Sequence, residues 1–533
     1  MDKPNILVAA TAILAHFVVS PIPEVPTVKV LQIYSTANII LFATLLLSSH
    51  QLAYSIVRFS ILNLNFVVVA TLLTFIRRLY FSPLSHFPGP KLAALSNAYL
   101  ANAFRHGRAY FKLAELHEQY KSDFIRIGPN QLSISNVAAV EAVFRGKYPR
   151  GTFYDAGTVN GAQNLLFQRD YSIHTPWRRI WDKAFASSEL QHYNPRVEHH
   201  VDRLVEVIKK ANREEVNCTT IMDNLSFDIM ADLAFANEAG LQAGTGDNQY
   251  IHFIHKTLAA IGIFSCFRNL AQLVKYIPEV SDVKSFRVRG EALLAARQRL
   301  GTTRKDVFSH LIGSDTSTSI KFTQAELNAN AQLVIIAGSD TTSATLTQTL
   351  RILAKQPAIL KKLQAEVDDC ASKGALTVET TRNLPYLNAV VNESLRLYNV
   401  VPLGSHAASP PLGLYVAGTF IPGNVQIDVP HGALMVDPRY FEKPLEYIPE
   451  RWTDWSDGVK DRRAFIPFGY GAHSCVGKQL ALNELRTILT NVVKRWDVVL
   501  GEKYNEQKWN EGIKDYGVLE IGELWIKFVP RAT

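Results

Sequence analysis

A lone cysteine among glycines is the residue of this chain best placed to do chemistry. Cys475 lies in "FIPFGYGAHSCVGKQLALNELR", Phe465 to Arg486, where Gly469, Gly471 and Gly477 permit a tight loop and close backbone approach. Lys478 to Arg486 has the composition of a helix. A cysteine just before a helix N-terminus meets free backbone amides and the positive end of the helix dipole, which favour thiolate over thiol. Such a sulfur can act as nucleophile, redox centre or metal ligand; the plainer alternative is a small buried thiol. The other cysteines, Cys218, Cys266 and Cys370, are scattered, with no CxxC pair and no CxxCH. This argues against zinc clusters, dithiol chemistry and covalently attached haem.

Two further stretches carry reactive or charged groups at telling spacing. In "AGSDTTS", Ala337 to Ser343, the Gly338 and Thr341 positions can open a groove in a helix, because a side-chain hydroxyl competes for backbone carbonyls. Asp340 and Thr341 then form an acid and alcohol pair able to relay protons. Ser-Asp-Thr-Thr is also good N-cap chemistry, but the preceding "LVIIAG" continues the same helical spacing, within a helical run expected from Gln324 to Leu353. "NESLRLY" sets Glu393 and Arg396 on one helix face, three apart, and "PERW" supplies Arg451.

Together these residues resemble the cytochrome P450 family. Phe468, Gly471, Cys475 and Gly477, followed by Ala481 and Glu484, match its haem-binding signature, in which one cysteine thiolate is the axial ligand of haem iron. The resemblance implies haem b with Cys475 as metal ligand and Phe468 in the cofactor loop. It implies that Asp340 and Thr341 sit in the oxygen-binding helix, and that Glu393, Arg396 and Arg451 form a structural triad locking the region ahead of the cysteine. It covers roughly Phe87 to Val529. The fold it implies is mainly α with small β-sheets (α+β), the P450 fold, behind an N-terminal transmembrane anchor.

The chain departs from the family pattern in its histidines. His473 stands where arginine is usual, and counting back from Phe185 puts His174 and Arg178 where the family has tryptophan and arginine on a haem propionate. Counting on from Arg396 puts His406 at another propionate arginine. Three histidines and one arginine would then face two carboxylates, which should raise the histidine pKa values. The expectation is a haem held more weakly as pH rises.

These residues need elements to position them. Val30 to Val57 contains no Asp, Glu, Lys or Arg, and Phe59 to Ile76 is again uncharged; each is long enough to span a bilayer, and Ile6 to Ser20 is a weaker candidate. Arg77 and Arg78, with Lys91 and Arg105 beyond them, place the following domain in the cytosol by the positive-inside rule, with the endoplasmic reticulum as the expected membrane. The sequon Asn217-Cys218-Thr219 would then stay unglycosylated. Residues 1–79 read as the anchor, 80–91 as a Pro-rich hinge around "SPLSHFPGPK", and 92–533 as the catalytic domain. "FIRIGPNQLSIS" reads as a hairpin, and about Asn194 to Cys370 as mostly helical. At 533 residues and 47% hydrophobic the chain can bury a large core. Its net charge of +8 is spread along the chain, which disfavours a nucleic-acid partner and fits a basic docking face or an anionic membrane.

A thiolate-ligated iron facing an acid and alcohol pair implies a monooxygenase that inserts one atom of dioxygen into an apolar molecule. The sequence has no GxGxxG nucleotide fold, so electrons would come from a separate membrane-bound flavoprotein reductase using NADPH. The family's layout draws the pocket from Phe153 to Phe167, Val334 and Ile335, Val400 to Leu403, and Gly517 to Leu519, mostly apolar residues suited to a lipophilic substrate. The chain looks most like fungal natural-product members, and a terpenoid is the first expectation. The rival readings are a haem-thiolate isomerase or dehydratase that does not use dioxygen, and a non-catalytic membrane haem sensor.

Overall fold

The computed structural model describes residues 3–531 apart from 23, 147, 159–160, 248, 274–275, 277–278, 302–303 and 314–319. Its first three helices, α1 (Lys3–Val19), α2 (Thr27–Ser49) and α3 (Leu52–Tyr80), form an apolar bundle in which α3 packs against both others. Hardly any of their side chains are buried, and α2 and α3 are long and apolar enough to cross a membrane. An apolar helix without a buried face needs a hydrocarbon surrounding, so the bundle is compatible with a membrane anchor.

The junction is docked onto the domain. The first strand, β1 (Phe124–Gly128), pairs antiparallel with β2 (Gln131–Ile134), giving the expected hairpin with an irregularity between Arg126 and Gly128. Arg126 donates to the Arg78 carbonyl at 2.9 Å, and Arg78 to the Leu95 carbonyl at 2.5 Å, tying the last turn of α3 to the sheet. In the proline-rich segment Leu84 and Phe87 are buried with Leu132, Ile134 and Ile427. Each such burial is worth about 2 kcal/mol, enough to pin the segment in place. Gly89 is required there, since a Cβ would lie 2.2 Å from the Arg126 carbonyl oxygen.

The domain is largely helical. Its site-bearing helices are α4 (Tyr171–Ala184), α5 (Cys218–Phe235), α6 (Gln249–Ser265), α7 (Gln324–Lys355), α8 (Pro385–Leu397) and α9 (Lys478–Arg495). With β3 (Glu215–Asn217), β4 (Ser405–Ala408), β5 (Gln426–Val429), β6 (Trp496–Leu500) and β7 (Trp525–Pro530), the strands make a four-stranded sheet ordered β1-β2-β5-β4 and a three-stranded sheet ordered β3-β7-β6. In the first, β2 runs parallel to β5, with Leu132 opposite Ile427, and β4 returns antiparallel, with Ala407 opposite Ile427. The long helix α7 starts at a capping box, Thr323 with Glu326, and continues unbroken through Asp340 and Thr341, which excludes the N-cap reading of "SDTT".

Helix α7 crosses the core against α5. The crossing is close at Gly338, where a Cβ would lie 2.5 Å from the Met230 sulfur. Gly338 therefore serves close helix–helix packing, beyond the groove expected from sequence. Most of the remaining α7 surface is buried among Leu225, Ile229, Leu485 and Ile488.

Candidate active site

Glu393 on α8 builds the frame ahead of the cysteine loop. Its carboxylate accepts from Arg396 at 2.8 and 2.9 Å, Arg451 at 3.0 Å, Trp452 Nε1 at 2.9 Å and the Ile448 amide at 3.0 Å. The arginines spend their remaining donors on the carbonyls of Met435, Glu442, Pro444, Glu446 and Gly458. All three charged side chains are fully buried, so this is a structural lock rather than reacting machinery.

Behind that frame the Cys475 loop is held by its own backbone and by α4. The Cys475 amide donates to the Phe468 carbonyl at 2.8 Å, and Arg178 donates to the carbonyls of Ser474 at 2.6 Å and Ala472 at 3.3 Å. Gly471 is at φ 72°, and a Cβ there would strike the Phe144 carbonyl at 2.2 Å. The sulfur is exposed to a large cavity, which it lines with Phe468 and Gly477. Burial pushes its thiol up, against the amides of Gly477 and Lys478 and the cations of Arg178 and Lys478. The helix start favours the thiolate, as expected from sequence, but burial outweighs it, and a bound metal cation would complete the deprotonation. Glu484, nearly two turns along α9, is pushed up to about 8 by burial and accepts from Thr342 at 3.1 Å.

The cavity has a volume of about 1310 Å³ between this loop and α7. Thr341 lines it, its hydroxyl donating to the Ala337 carbonyl at 2.8 Å. Asp340 does not line it: its Oδ2 is 3.5 Å from His255 Nε2 on α6. His255 Nδ1 lies 3.8 Å from Glu520 Oε1, and half-buried Asp223 accepts from Ser343 at 2.6 Å beside them. Burial would lower His255, but bonding and charge from Asp340, with Glu520 and Asp223, raise it to about 9. Acid and alcohol are thus adjacent in sequence but face opposite ways, the alcohol to the cavity and the acid to a charged cluster with partial access to solvent. His255, Asp223 and Glu520 were missed in the sequence because their positions lie far from Asp340 along the chain.

At the other edge of the cavity sit the expected histidines. His174 Nε2 and His473 Nδ1 are 3.1 Å apart, and His406 stacks on Phe153 at 3.9 Å with its Nδ1 2.8 Å from Asp428 Oδ1. The protein's own groups act on two of them in the direction opposite to the propionates. Burial, then Arg150 and Arg178, lowers His174 to about 4, and the same surroundings together with His174 lower His473 further. Arg150 was not foreseen: buried, stacked on Tyr154 at 4.2 Å and bonded to the Leu166 carbonyl, it makes the count two arginines rather than one. His431 was also missed; burial pushes it down to about 3. His174 Nδ1, Trp181 Nε1 and His431 Nε2 are buried at this cavity with no hydrogen-bond partner among the described residues. Unpaired buried donors are costly, so the arrangement suits a bulky acceptor-bearing group bound over Cys475.

The apolar wall agrees with the sequence expectation at Phe153, Phe167, Val334, Val400, Val401, Leu403, Gly517 and Val518. Positions 159–160 fall outside the described residues. Ile335, Pro402 and Leu519 do not line the cavity; Ile335 turns into the packed core instead. Leu258, Ile261, Phe264, Val283 and Phe286 complete the wall and were not foreseen.

Comparison with known proteins matches this geometry. The profile of the family described as Cytochrome P450 matches residues 91–518. The chain belongs to the cytochrome P450 family. It is 34% identical over 463 residues to cytochrome P450 monooxygenase orf5 of Eupenicillium brefeldianum, covering 85% of this chain and 93% of that one. It is 32% identical to cytochrome P450 monooxygenase FCK2 of Fusarium pseudograminearum, covering 86% and 84%. A crystal structure of the cytochrome P450DA heme domain superposes with a TM-score of 0.69 at 18% identity, over 84% of this chain and 98% of that one, and so shares the fold. This P450 is accordingly a haem-dependent monooxygenase, and the family's cofactor is haem held by a cysteine thiolate.

Proposed function

We propose that this P450 oxygenates a lipophilic small molecule, a terpenoid first among the candidates, with Cys475 as the axial ligand. The observation that carries the reading is the placement of the Cys475 sulfur and Thr341 on one largely apolar cavity. Haem bound there supplies dioxygen activation. His174, His431 and Trp181 offer it unused donors, with Arg150, Arg178, His406 and His473 around them and Phe468 in the loop below. Neutral histidine still donates one hydrogen bond, so the low pKa values of His174 and His473 leave that role intact.

The protein's own part in the reaction is positioning and proton supply. The wall from Phe153 to Phe286 excludes water and holds an apolar substrate. Thr341 presents a hydroxyl inside the cavity, and Asp340, its neighbour on α7, pairs with His255 on the side away from the cavity, with Glu520 beyond it. Electrons come from a separate NADPH-dependent flavoprotein reductase docked on the basic face near the cysteine, where Lys183 and Lys478 are exposed. Helices α2 and α3 hold the enzyme in the endoplasmic reticulum membrane, with the catalytic domain in the cytosol.

The test is turnover of a terpenoid panel by membranes carrying this chain and a reductase, under isotopically labelled dioxygen. A product containing one labelled oxygen atom is expected. NADPH-independent conversion without label would instead support the isomerase reading. Binding of other lipophiles but of no terpenoid would remove the terpenoid assignment and leave the monooxygenase.

A further inference from the structure

The wall of the cavity is completed by the anchor. Val28, in the first turn of α2, lines the cavity together with Phe264, Ala271 and Gln272. Beside it the Thr27 amide donates to Gln272 Oε1 at 3.1 Å. Four residues before Val28, Glu24 completes a closed ring of alternating charge. Its Oε1 is 2.6 Å from Arg169 Nη2 and its Oε2 is 2.7 Å from Arg268 Nη2. On the far side Asp155 receives Arg169 Nη1 at 2.9 Å and Arg268 Nε at 2.8 Å.

Each guanidinium is thus held between two carboxylates, one from the catalytic domain and one from the anchor. Asp155, Arg169 and Arg268 are about four-fifths buried, and only Glu24 is substantially exposed. The ring ties the loop between α1 and α2 to three segments bordering the cavity: the turn Thr152–Gly157, the approach to α4, and the short helix Arg268–Ala271. Burial would raise Glu24, but its bond to Arg169 and the charges of Arg169 and Arg268 hold its carboxyl below the ordinary value. Any polar solute entering here from water must pass a paired, partly desolvated set of charges. An apolar solute leaving the bilayer beside the first turn of α2 meets Val28 instead.

We infer that the first anchor loop is a working part of the substrate entrance: the ring of Glu24, Arg169, Asp155 and Arg268 closes the mouth on its aqueous side, and the Val28 side admits lipophilic molecules dissolved in the membrane. The inference rests on the proposed membrane placement of α2 and on haem above Cys475. It makes the anchor a determinant of what reaches the cavity, in addition to a tether.

The test uses the full-length protein in lipid nanodiscs and two haem-ligating probes, water-soluble imidazole and bilayer-partitioning dodecylimidazole, followed by stopped-flow absorbance. Glu24→Gln should speed imidazole association about fivefold while changing dodecylimidazole by less than about twofold. Val28→Trp should do the reverse of the charge variant, slowing dodecylimidazole by about threefold or more with imidazole unchanged. Imidazole rates unaffected by Glu24→Gln, or both probes altered alike by either variant, would overturn the inference. Absence of a thiolate-type spectrum in the wild type would defeat the haem reading itself; with that spectrum present, unchanged rates defeat the entrance alone.

Discussion

His255 Nε2 lies 3.5 Å from Asp340 Oδ2, while Thr341, the next residue of the same helix, opens onto the cavity. The acid of the pair is thereby tied to a histidine that has Glu520 on its other nitrogen and Asp223 nearby. The sign of the resulting pH dependence follows directly. His255 is raised from 6.5 to about 9 in the folded protein, so its stabilisation is full below about pH 6.5 and is lost as pH rises through about 9. Thermal unfolding of His255→Gln should fall below wild type by a margin that is widest below about pH 6.5, narrows through neutral pH and closes above about pH 9. A margin independent of pH would show that His255 is uncharged in the fold.

Removing the cavity-facing hydroxyl should separate electron use from product. In Thr341→Ala the yield of product per NADPH should drop about tenfold or more, with the surplus reducing equivalents recovered as hydrogen peroxide or water. The variant should still fold, since Thr341 bonds only within its own helix. An unchanged yield would remove Thr341 from proton supply.

Glu393 is the acceptor for two fully buried guanidiniums. Glu393→Ala leaves both unpaired, and a stranded buried charge costs about 3–5 kcal/mol. The expected result is loss of folded protein. A stable Glu393→Ala protein with wild-type urea unfolding would refute the role of the triad as a lock.

Gly338 tests the packing of α7 on α5. A methyl group there would sit 2.5 Å from the Met230 sulfur, so Gly338→Ala should destabilise by about 1–3 kcal/mol. Pairing it with Met230→Ala should recover part of that loss, because the two changes share one contact. Additive losses would place the strain elsewhere.

The parts of the site that were legible in the sequence are those whose residues are near neighbours along the chain. Cys475 with its glycines, Asp340 with Thr341, and the pair Glu393 and Arg396 carry their spacing on the page, and the helical period identified α7 to within two residues of its end. Arg150, His431 and His255 were invisible because each joins the site through a turn, strand or helix far from the motifs. The influences on the histidine pKa values were legible only in part for a related reason: the expectation considered the propionates, whereas burial and Arg150 act in the opposite direction. The junction also packs more tightly than a proline-rich composition implies, since Leu84 and Phe87 bury themselves in the sheet.

The central claim is that Cys475 ligates haem iron as a thiolate, and one spectrum tests it most directly. Membranes carrying the full chain, reduced and exposed to carbon monoxide, are compared with a Cys475→Ser control. The account predicts a strongly red-shifted Soret band in the wild type that is missing from the control. Folded wild-type protein without that band, or the same band in Cys475→Ser, would contradict it.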